Sequence, residues 1–183
     1  LSHFNNKIAE INIKASILEL LNKITMSNYN EIKNNLLAII TNENEKQEKF
    51  VDIVFSKAIT EPNYNRLYAK LCKDIDKNLV NKKEKTKSHM RIKLIDKCKK
   101  NFRAEFKNNK RIMVGNVAFI AELIKVQMIS KKVGVQCINN LIDKFLNQLT
   151  PEHPLSDVYL ECIITLTEKY GSCILYNQRN RIR

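Results

Sequence analysis

The sequence predicts an all-α fold assembled from antiparallel helix pairs, and three observations carry that expectation. Turn-forming residues are scarce: the 183 residues contain three glycines (Gly115, Gly134, Gly171) and three prolines (Pro62, Pro151, Pro154). A β-sandwich or a nucleotide-binding α/β fold needs glycine at many more turns. Apolar residues recur at helical spacing, most clearly in residues 50–72, FVDIVFSKAITEPNYNRLYAKLC. There Phe50, Val51, Val54, Phe55 and Ala58 form one stripe, and Tyr64, Leu67, Tyr68, Leu71 and Cys72 form the next. Finally, capping-type residues open a new helix pair near Asn42 and at Ser88, Ser130 and Ser172, in steps of 46, 42 and 42 residues. A pair of helices every 40–47 residues or so is the period of HEAT-like and armadillo-like solenoids. A lone hairpin cannot cover both of its apolar faces, so neighbouring pairs must stack. The expected architecture is an α-α superhelix of about four HEAT-like antiparallel pairs plus the start of a fifth. It forms a single domain over residues 1–183, truncated at its C-terminal end.

Taken in order, the first helix is expected from Asn6 to Ile24, with Ile8, Ile11, Ala15, Leu18 and Leu21 stepping by three or four. Ser27 then serves as N-cap of a second helix carrying Tyr29, Ile32, Leu36 and Ile39 or Ile40. Asn42 with Glu45 has capping-box spacing and begins a third helix that runs through Ile59. Pro62 lacks a backbone N–H and biases Glu61 away from helical dihedrals, so that helix stops there. Asn63 caps the fourth helix, which closes near Leu79. Ser88 opens a fifth, with Ile92, Ile95, Cys98, Phe102 and Phe106 on one face, and a polar link runs from Lys107 to Lys110. The sixth helix spans about Val114–Ile129 and carries Val117, Ile120, Leu123, Ile124 and Met128, with Gly115 near its start, where a small residue costs little. The seventh starts after Ser130 with Val133, Cys137, Leu141 and Phe145. The chain turns across Thr150–Pro154, and the eighth resumes after Ser156 with Leu160, Ile163, Leu166 and Tyr170. Gly171 is placed as its C′ residue, and Ser172–Arg183 is too short for another pair.

Composition narrows the function classes. No apolar run exceeds about five residues, which predicts neither a membrane span nor a signal peptide. Because residue 1 is leucine, the chain is expected to be part of something longer. Five cysteines at 72, 98, 137, 162 and 173 form no CxxC pair, which is unlike a disulfide framework. Cys72, Cys98, Cys137 and Cys162 lie on apolar stripes and are expected as buried free thiols of a reducing, cytoplasmic compartment. His3, His89 and His153 offer no metal-ligand spacing. No phosphate-binding glycine loop and no nucleophile elbow occurs, and Asp74 and Asp76, two apart, lie on different helix faces. The expectation is a binding protein, not an enzyme, without cofactor or metal.

The formal charge is +13 and the isoelectric point about 9.5. Between Lys73 and Arg111 stand 15 Lys and Arg against five Asp and Glu, a net of +10 in 39 residues. Residues 81–87, NKKEKTK, contain no apolar side chain and read as a solvated loop. Such a run either keeps the protein soluble or faces a polyanion, of which RNA is the expected one. Lys82, Lys83, Lys85, Lys87, Arg91, Lys110 and Arg111 are the candidate RNA-binding residues. Without tryptophan, base stacking is limited and sequence preference weak.

Residues 50–72 closely resemble the second hairpin of the middle domain of eukaryotic translation initiation factor 4 gamma. Two further segments agree in order: Gly115-Asn116-Val117-Ala118-Phe119-Ile120-Ala121-Glu122-Leu123, and Leu160-Glu161-Cys162 with Gly171 after it. Residues 92–106, with Cys98 and Phe106, are similar to another helix of that family. The resemblance implies a HEAT-repeat crescent of five pairs that docks a DEAD-box RNA helicase, initiation factor 4A, and stimulates its ATPase and unwinding cycle. It further implies RNA (mRNA) binding, other initiation factors as partners, and no membrane. Two departures stand out: the chain ends where the fifth pair begins in that family, and the long acidic insertion of animal members is reduced to Lys107–Lys110.

Carried onto this sequence, the resemblance makes Glu61, Pro62, Asn63 and Tyr64 the first helicase-binding candidates, with Asn116, Phe119 and Glu122 as a second set. Each has a plainer role open to it: Pro62 and Asn63 stop one helix and start another, and Tyr64 and Phe119 serve as packing rings. Glu122 is the less ordinary residue, since a carboxylate on an apolar face needs a partner. Helical-repeat scaffolds of mRNA splicing, cap-binding or decay remain the alternative reading.

Overall fold

The computed structural model describes residues 2–41, 43–80, 87–103, 109–147 and 156–179, with side chains placed for 10–41, 43–80, 87–103, 109–147 and 157–171. Among the described residues the structure is all-α: α1 (Ser2–Lys23), α2 (Tyr29–Ile40), α3 (Asn44–Thr60), a 3-10 turn (Pro62–Tyr64), α4 (Asn65–Leu79), α5 (His89–Arg103), α6 (Lys110–Lys125), α7 (Lys131–Asn147) and α8 (Ser156–Arg179). The contacts cluster into two compact units, Leu1–Lys57 with Asp74–Asp96 and Ala58–Lys73 with Lys97–Arg183.

In the first unit α1 packs on α2. The stripe of α2, Tyr29, Ile32, Leu36 and Ile40, is buried as its spacing predicts. That of α1 is not the expected one. Ile11 is 58% exposed and Leu18 and Ala15 also face out, while Ile17, Leu21 and Ile24 are interior. Apolar residues occur all round this helix, so spacing alone fits more than one face. The cap of α2 is Asn28 rather than Ser27. Its Oδ1 accepts from Thr25 N at 2.7 Å while its Nδ2 donates to the Lys23 carbonyl at 2.8 Å, which ties the new helix to the end of α1. Asn42 lies outside the described residues; α3 starts at Asn44, with Gln47 N donating to Glu43 O. Phe50, Val51, Val54, Phe55 and Ala58 are all buried, the four larger side chains contributing roughly 1.5–3 kcal/mol each on leaving water.

Ser88 caps α5 as expected. Its Oγ accepts from Arg91 N at 3.1 Å and donates to the interior carboxylate of Asp76 at 2.6 Å. Gln47 Oε1 takes the Met90 N–H at 3.0 Å, so two of the orphan donors in the first turn of α5 are met. The buried face of α5 is Met90, Leu94 and Cys98; Ile92 is exposed, and Phe106 lies outside the described residues.

In the second unit α6 packs on α8, α7 on α8, and α6 on the 3-10 turn. Packing of alternate helices on one another is how successive pairs of a repeat cover each other. α6 starts at Lys110, not Val114, because Asn109 Oδ1 accepts from Ile112 N at 3.2 Å and closes the first turn. Every residue from Gly115 to Ile124 is buried, so this stretch of the helix is enclosed on all sides. It ends at Lys125 rather than Ile129. Met128 N donates to Leu123 O at 2.9 Å and Gln127 N to Ile124 O at 3.0 Å, with Gln127 left-handed at φ 62°. That is a Schellman turn with glutamine in the usual glycine position.

α7 begins after Ser130, as expected, and buries Cys137 and Leu141. The interior face of α8 is Val158, Tyr159, Cys162, Leu166 and Tyr170, whereas Leu160 is exposed. Gly171 does not end α8, which continues through Ser172 to Arg179. No glycine among the described residues has positive φ, so Gly171 keeps helical dihedrals. The fresh pair expected from Ser172 therefore does not begin there. The Thr150–Pro154 turn lies outside the described residues.

Candidate functional site

The second unit brings a sharp turn, the start of α6 and one residue of α8 to a single cavity. α3 stops because Glu61 takes φ −121° and ψ 72°, with Pro62 next, in the first position of the 3-10 turn. Tyr64 N donates to the Glu61 carbonyl at 3.0 Å. Asn63 sits inside this turn and does not cap α4, which begins at Asn65. Two contacts hold the turn from below. Tyr68 Oη donates to Glu61 Oε2 at 2.7 Å, and the Tyr64 and Tyr68 rings lie 6.1 Å apart at 33°. Burial, and then the Glu61 carboxylate, push the Tyr68 phenol far above its ordinary value, so it stays a hydrogen-bond donor. Tyr64 itself is 48% exposed and is not a core ring.

Beside the turn lies a cavity of about 340 Å³ lined by Ile59, Pro62, Lys110, Arg111, Val114, Gly115, Ala118 and Glu161. Gly115 lets α6 approach the last turn of α3: a Cβ at this position would stand 2.2 Å from the Ile59 carbonyl oxygen. Arg111 Nη2 donates to the Thr60 carbonyl at 3.2 Å, placing a cation at the C-terminus of α3. Lys110 Nζ pairs with Glu161 Oε2 at 2.7 Å, both about half exposed, and this bond raises the ammonium pKa.

The second predicted helicase set is interior. Asn116 is 1% exposed and donates through Nδ2 to the Cys98 carbonyl at 3.2 Å. Phe119 is fully buried, and Glu122, 5% exposed, accepts from Lys125 at 3.2 Å and Lys169 at 3.4 Å. All three therefore lie in the interior of the unit, Asn116 tying α6 to α5 and Glu122 tying it to α8 through Lys169. A motif carries residue order but not orientation, which is why all seven residues read alike from sequence.

The predicted RNA-binding residues belong to both units. Lys82, Lys83 and Lys85 lie outside the described residues. Lys87 is exposed. Arg91 is turned toward Asp76 at 3.4 Å within the first unit. Lys110 and Arg111 belong with the turn and cavity of the second unit, Lys110 paired to Glu161. The cavity itself is not legible in the sequence. Gly115 inside a helix is its one sequence signal, and Glu161, 51 residues beyond Lys110, gives none.

Cys72, Cys98, Cys137 and Cys162 are buried and form no disulfide, as expected. Burial pushes the Cys98 and Cys162 thiols up to about 12 and Cys137 to about 11. Among the described residues, no group of three His, Cys, Asp or Glu could hold a metal ion, and no helix is long and apolar enough to cross a membrane.

The MIF4G domain family matches residues 15–177. Among curated relatives, mouse eukaryotic translation initiation factor 4 gamma 3 is 22% identical over 162 residues, covering 69% of this chain and 10% of the relative. Eukaryotic translation initiation factor 4 gamma of Schizosaccharomyces pombe is 25% identical over 161 residues, covering 67% and 12%. Eukaryotic initiation factor 4F subunit p130 of Saccharomyces cerevisiae is 24% identical over 195 residues, covering 86% and 21%. The chain thus spans between 10% and 21% of the length of these relatives.

Proposed function

This chain belongs to the MIF4G domain family, and from that premise we propose that it is a translation-initiation scaffold domain that docks a DEAD-box RNA helicase, initiation factor 4A, and stimulates its ATPase and unwinding cycle. It acts in the cytoplasm, alongside other initiation factors, and carries out no chemistry of its own. The observation behind this reading is the Glu61–Tyr64 turn. It lies in the segment with the most specific family resemblance, it exposes Tyr64, and it stands next to an open, largely apolar cavity. Tyrosine offers a large rigid contact area with a polar end, which suits it to the centre of an interface. Glu61 and Pro62 shape the turn; Asn116, Phe119 and Glu122 lie in the interior of the same unit.

The test is co-purification of the folded chain with the initiation factor 4A of the same organism, together with the helicase's RNA-dependent ATPase rate. The chain should bind and raise the rate. Tyr64→Ala should weaken binding by about 2 kcal/mol, close to thirtyfold, if the ring is a central contact. A folded chain that neither binds nor stimulates removes the proposal.

RNA binding is the second part of the reading and rests on the +10 charge between Lys73 and Arg111. Lys82, Lys83, Lys85 and Lys87 carry it, with Arg111 adding charge beside the turn. Affinity for single-stranded RNA should fall with salt at a slope of about −0.7 per phosphate neutralised. A flat salt response, or no binding at low salt, removes this part. If the chain binds RNA but no helicase, the alternative stands: an RNA-binding scaffold of splicing, cap-binding or decay machinery.

A further inference from the structure

We propose that the cavity beside the Glu61–Tyr64 turn is an anchor pocket for a segment of a partner protein in which an apolar side chain stands next to a carboxylate. The apolar group enters between Ile59, Pro62, Val114 and Ala118, and the carboxylate pairs with Arg111 and Lys110. This deepens the reading above and rests on it, since it takes the turn to face a protein partner. The walls are apolar and the charges are at the mouth, where Lys110, Arg111 and Glu161 are exposed or half-exposed. The volume, about 340 Å³, is at the small end of ligand pockets, which run from roughly 300 to 1,000 Å³. It suits one or two side chains and not a large cofactor.

Charge complementarity selects the flanking group. Two cations and one anion line the cavity. Arg111 is held in place by its bond to the Thr60 carbonyl, so its guanidinium is oriented before a partner arrives. Lys110 and Glu161 form a half-exposed pair across the opening, the kind of pair that water and salt weaken. A carboxylate on the incoming segment replaces Glu161 as the partner of Lys110 and gains Arg111 as well. Glu161 therefore acts as a resident competitor: it rejects neutral apolar segments less than it delays acidic ones. The Gly115 contact keeps the floor rigid, because α6 and the Ile59 carbonyl cannot move closer.

The probe is a set of three labelled hexapeptides added to the ¹⁵N-labelled chain: one with a central Leu-Asp, one with Leu-Asn and one with Ala-Asp. Leu-Asp should shift the amides of Ile59, Val114 and Ala118. Leu-Asn should bind about threefold to fivefold more weakly, the range of one exposed ion pair, and Ala-Asp should not shift them. Arg111→Gln should reduce the preference for Asp over Asn to the part that Lys110 supplies. Glu161→Gln should tighten Leu-Asp binding without changing Leu-Asn. Val114→Phe, which fills the cavity from its half-exposed wall, should remove peptide binding and weaken the helicase complex about tenfold or more, the effect of a lost central anchor.

The pocket is overturned if the three peptides behave alike, or if a single-stranded RNA 12-mer shifts these amides while no peptide does. Helicase binding equal in wild type, Val114→Phe and Arg111→Gln, with no peptide shifts, overturns the pocket and leaves the docking reading intact. Peptide selectivity in a chain that binds no helicase upholds the pocket and removes initiation factor 4A as its partner.

Discussion

Replacing Gly115 by alanine adds one methyl group at a close helix contact of the second unit. The new Cβ would stand 2.2 Å from the Ile59 carbonyl oxygen and 3.0 Å from both its carbonyl carbon and Cα. Carbon atoms do not rest within 3.0 Å of such an oxygen, so α6 or the last turn of α3 must move outward by most of an ångström. The obstructing atoms are backbone and cannot swing aside, which puts the overpacking cost near the upper end of the usual range, about 3 kcal/mol. Alanine returns about 1 kcal/mol through its higher helix propensity. The net loss of about 2 kcal/mol should lower Tm by roughly 4–8 °C in a chain of this size. Gly171 is the internal control. It is also helical, and nothing lies within 4 Å of a Cβ placed there. Gly171→Ala should therefore raise stability by about 0.5–1 kcal/mol. Thermal melts by circular dichroism on the two variants decide the matter. A Gly115→Ala chain that melts at or above wild type, while Gly171→Ala behaves as expected, would refute the steric account of this contact.

Particular side chains make four further outcomes measurable. Asn65 is fully buried, and neither end of its amide has a hydrogen-bond partner among the described residues. Asn65→Leu should stabilise the chain by about 1 kcal/mol in urea unfolding, and a loss of similar size would show that the amide is satisfied. Gln127→Gly relieves a left-handed backbone at an exposed position and should gain about 1 kcal/mol; a lower Tm would mean its side chain matters more than the turn. In a Cys173→Ser background, Ellman's reagent at pH 8 should leave the native protein essentially unmodified and titrate four thiols in denaturant. Burial holds Cys98, Cys137 and Cys162 as thiols, and rapid native labelling would contradict that. The Lys93 and then the His89 hydrogen bonds hold the Glu48 carboxyl below its ordinary value. A depressed carboxylate stabilises above its unfolded pKa, and the effect is lost as pH falls through the folded value. The Tm difference between wild type and Glu48→Gln should accordingly shrink from pH 6 to pH 3, and a constant difference would rule out this contribution.

Much of the architecture is legible in the sequence because it depends on local rules. The 50–72 hairpin is readable since its apolar spacing, its proline and its stop signal agree, and the structure buries the residues that spacing selects in α3. The face of α1 is not, because isoleucine and leucine surround that helix. On α5, Ile92 competes with Leu94 in the same way. Helix ends reverse one expectation: Gly171 has the right identity for a C′ residue but keeps helical dihedrals, while Gln127, with the wrong identity, takes the left-handed turn. The segment after Gly171 remains helical, whereas residues 123–128 close a Schellman pair that only backbone geometry reveals. At the site, proline marks the turn as punctuation in the sequence itself. Its cavity is invisible there, because Lys110 and Glu161, or Gly115 and Ile59, meet only through tertiary packing.

Enclosure of α6 between Gly115 and Ile124 has a consequence for how this region tolerates change and transmits it. A helix with no outward side has no position where drift is free, so its amides should be among the last to exchange with deuterium and its sequence among the slowest to vary. Whatever seats against the neighbouring turn presses on a stiff rod and not on a yielding surface.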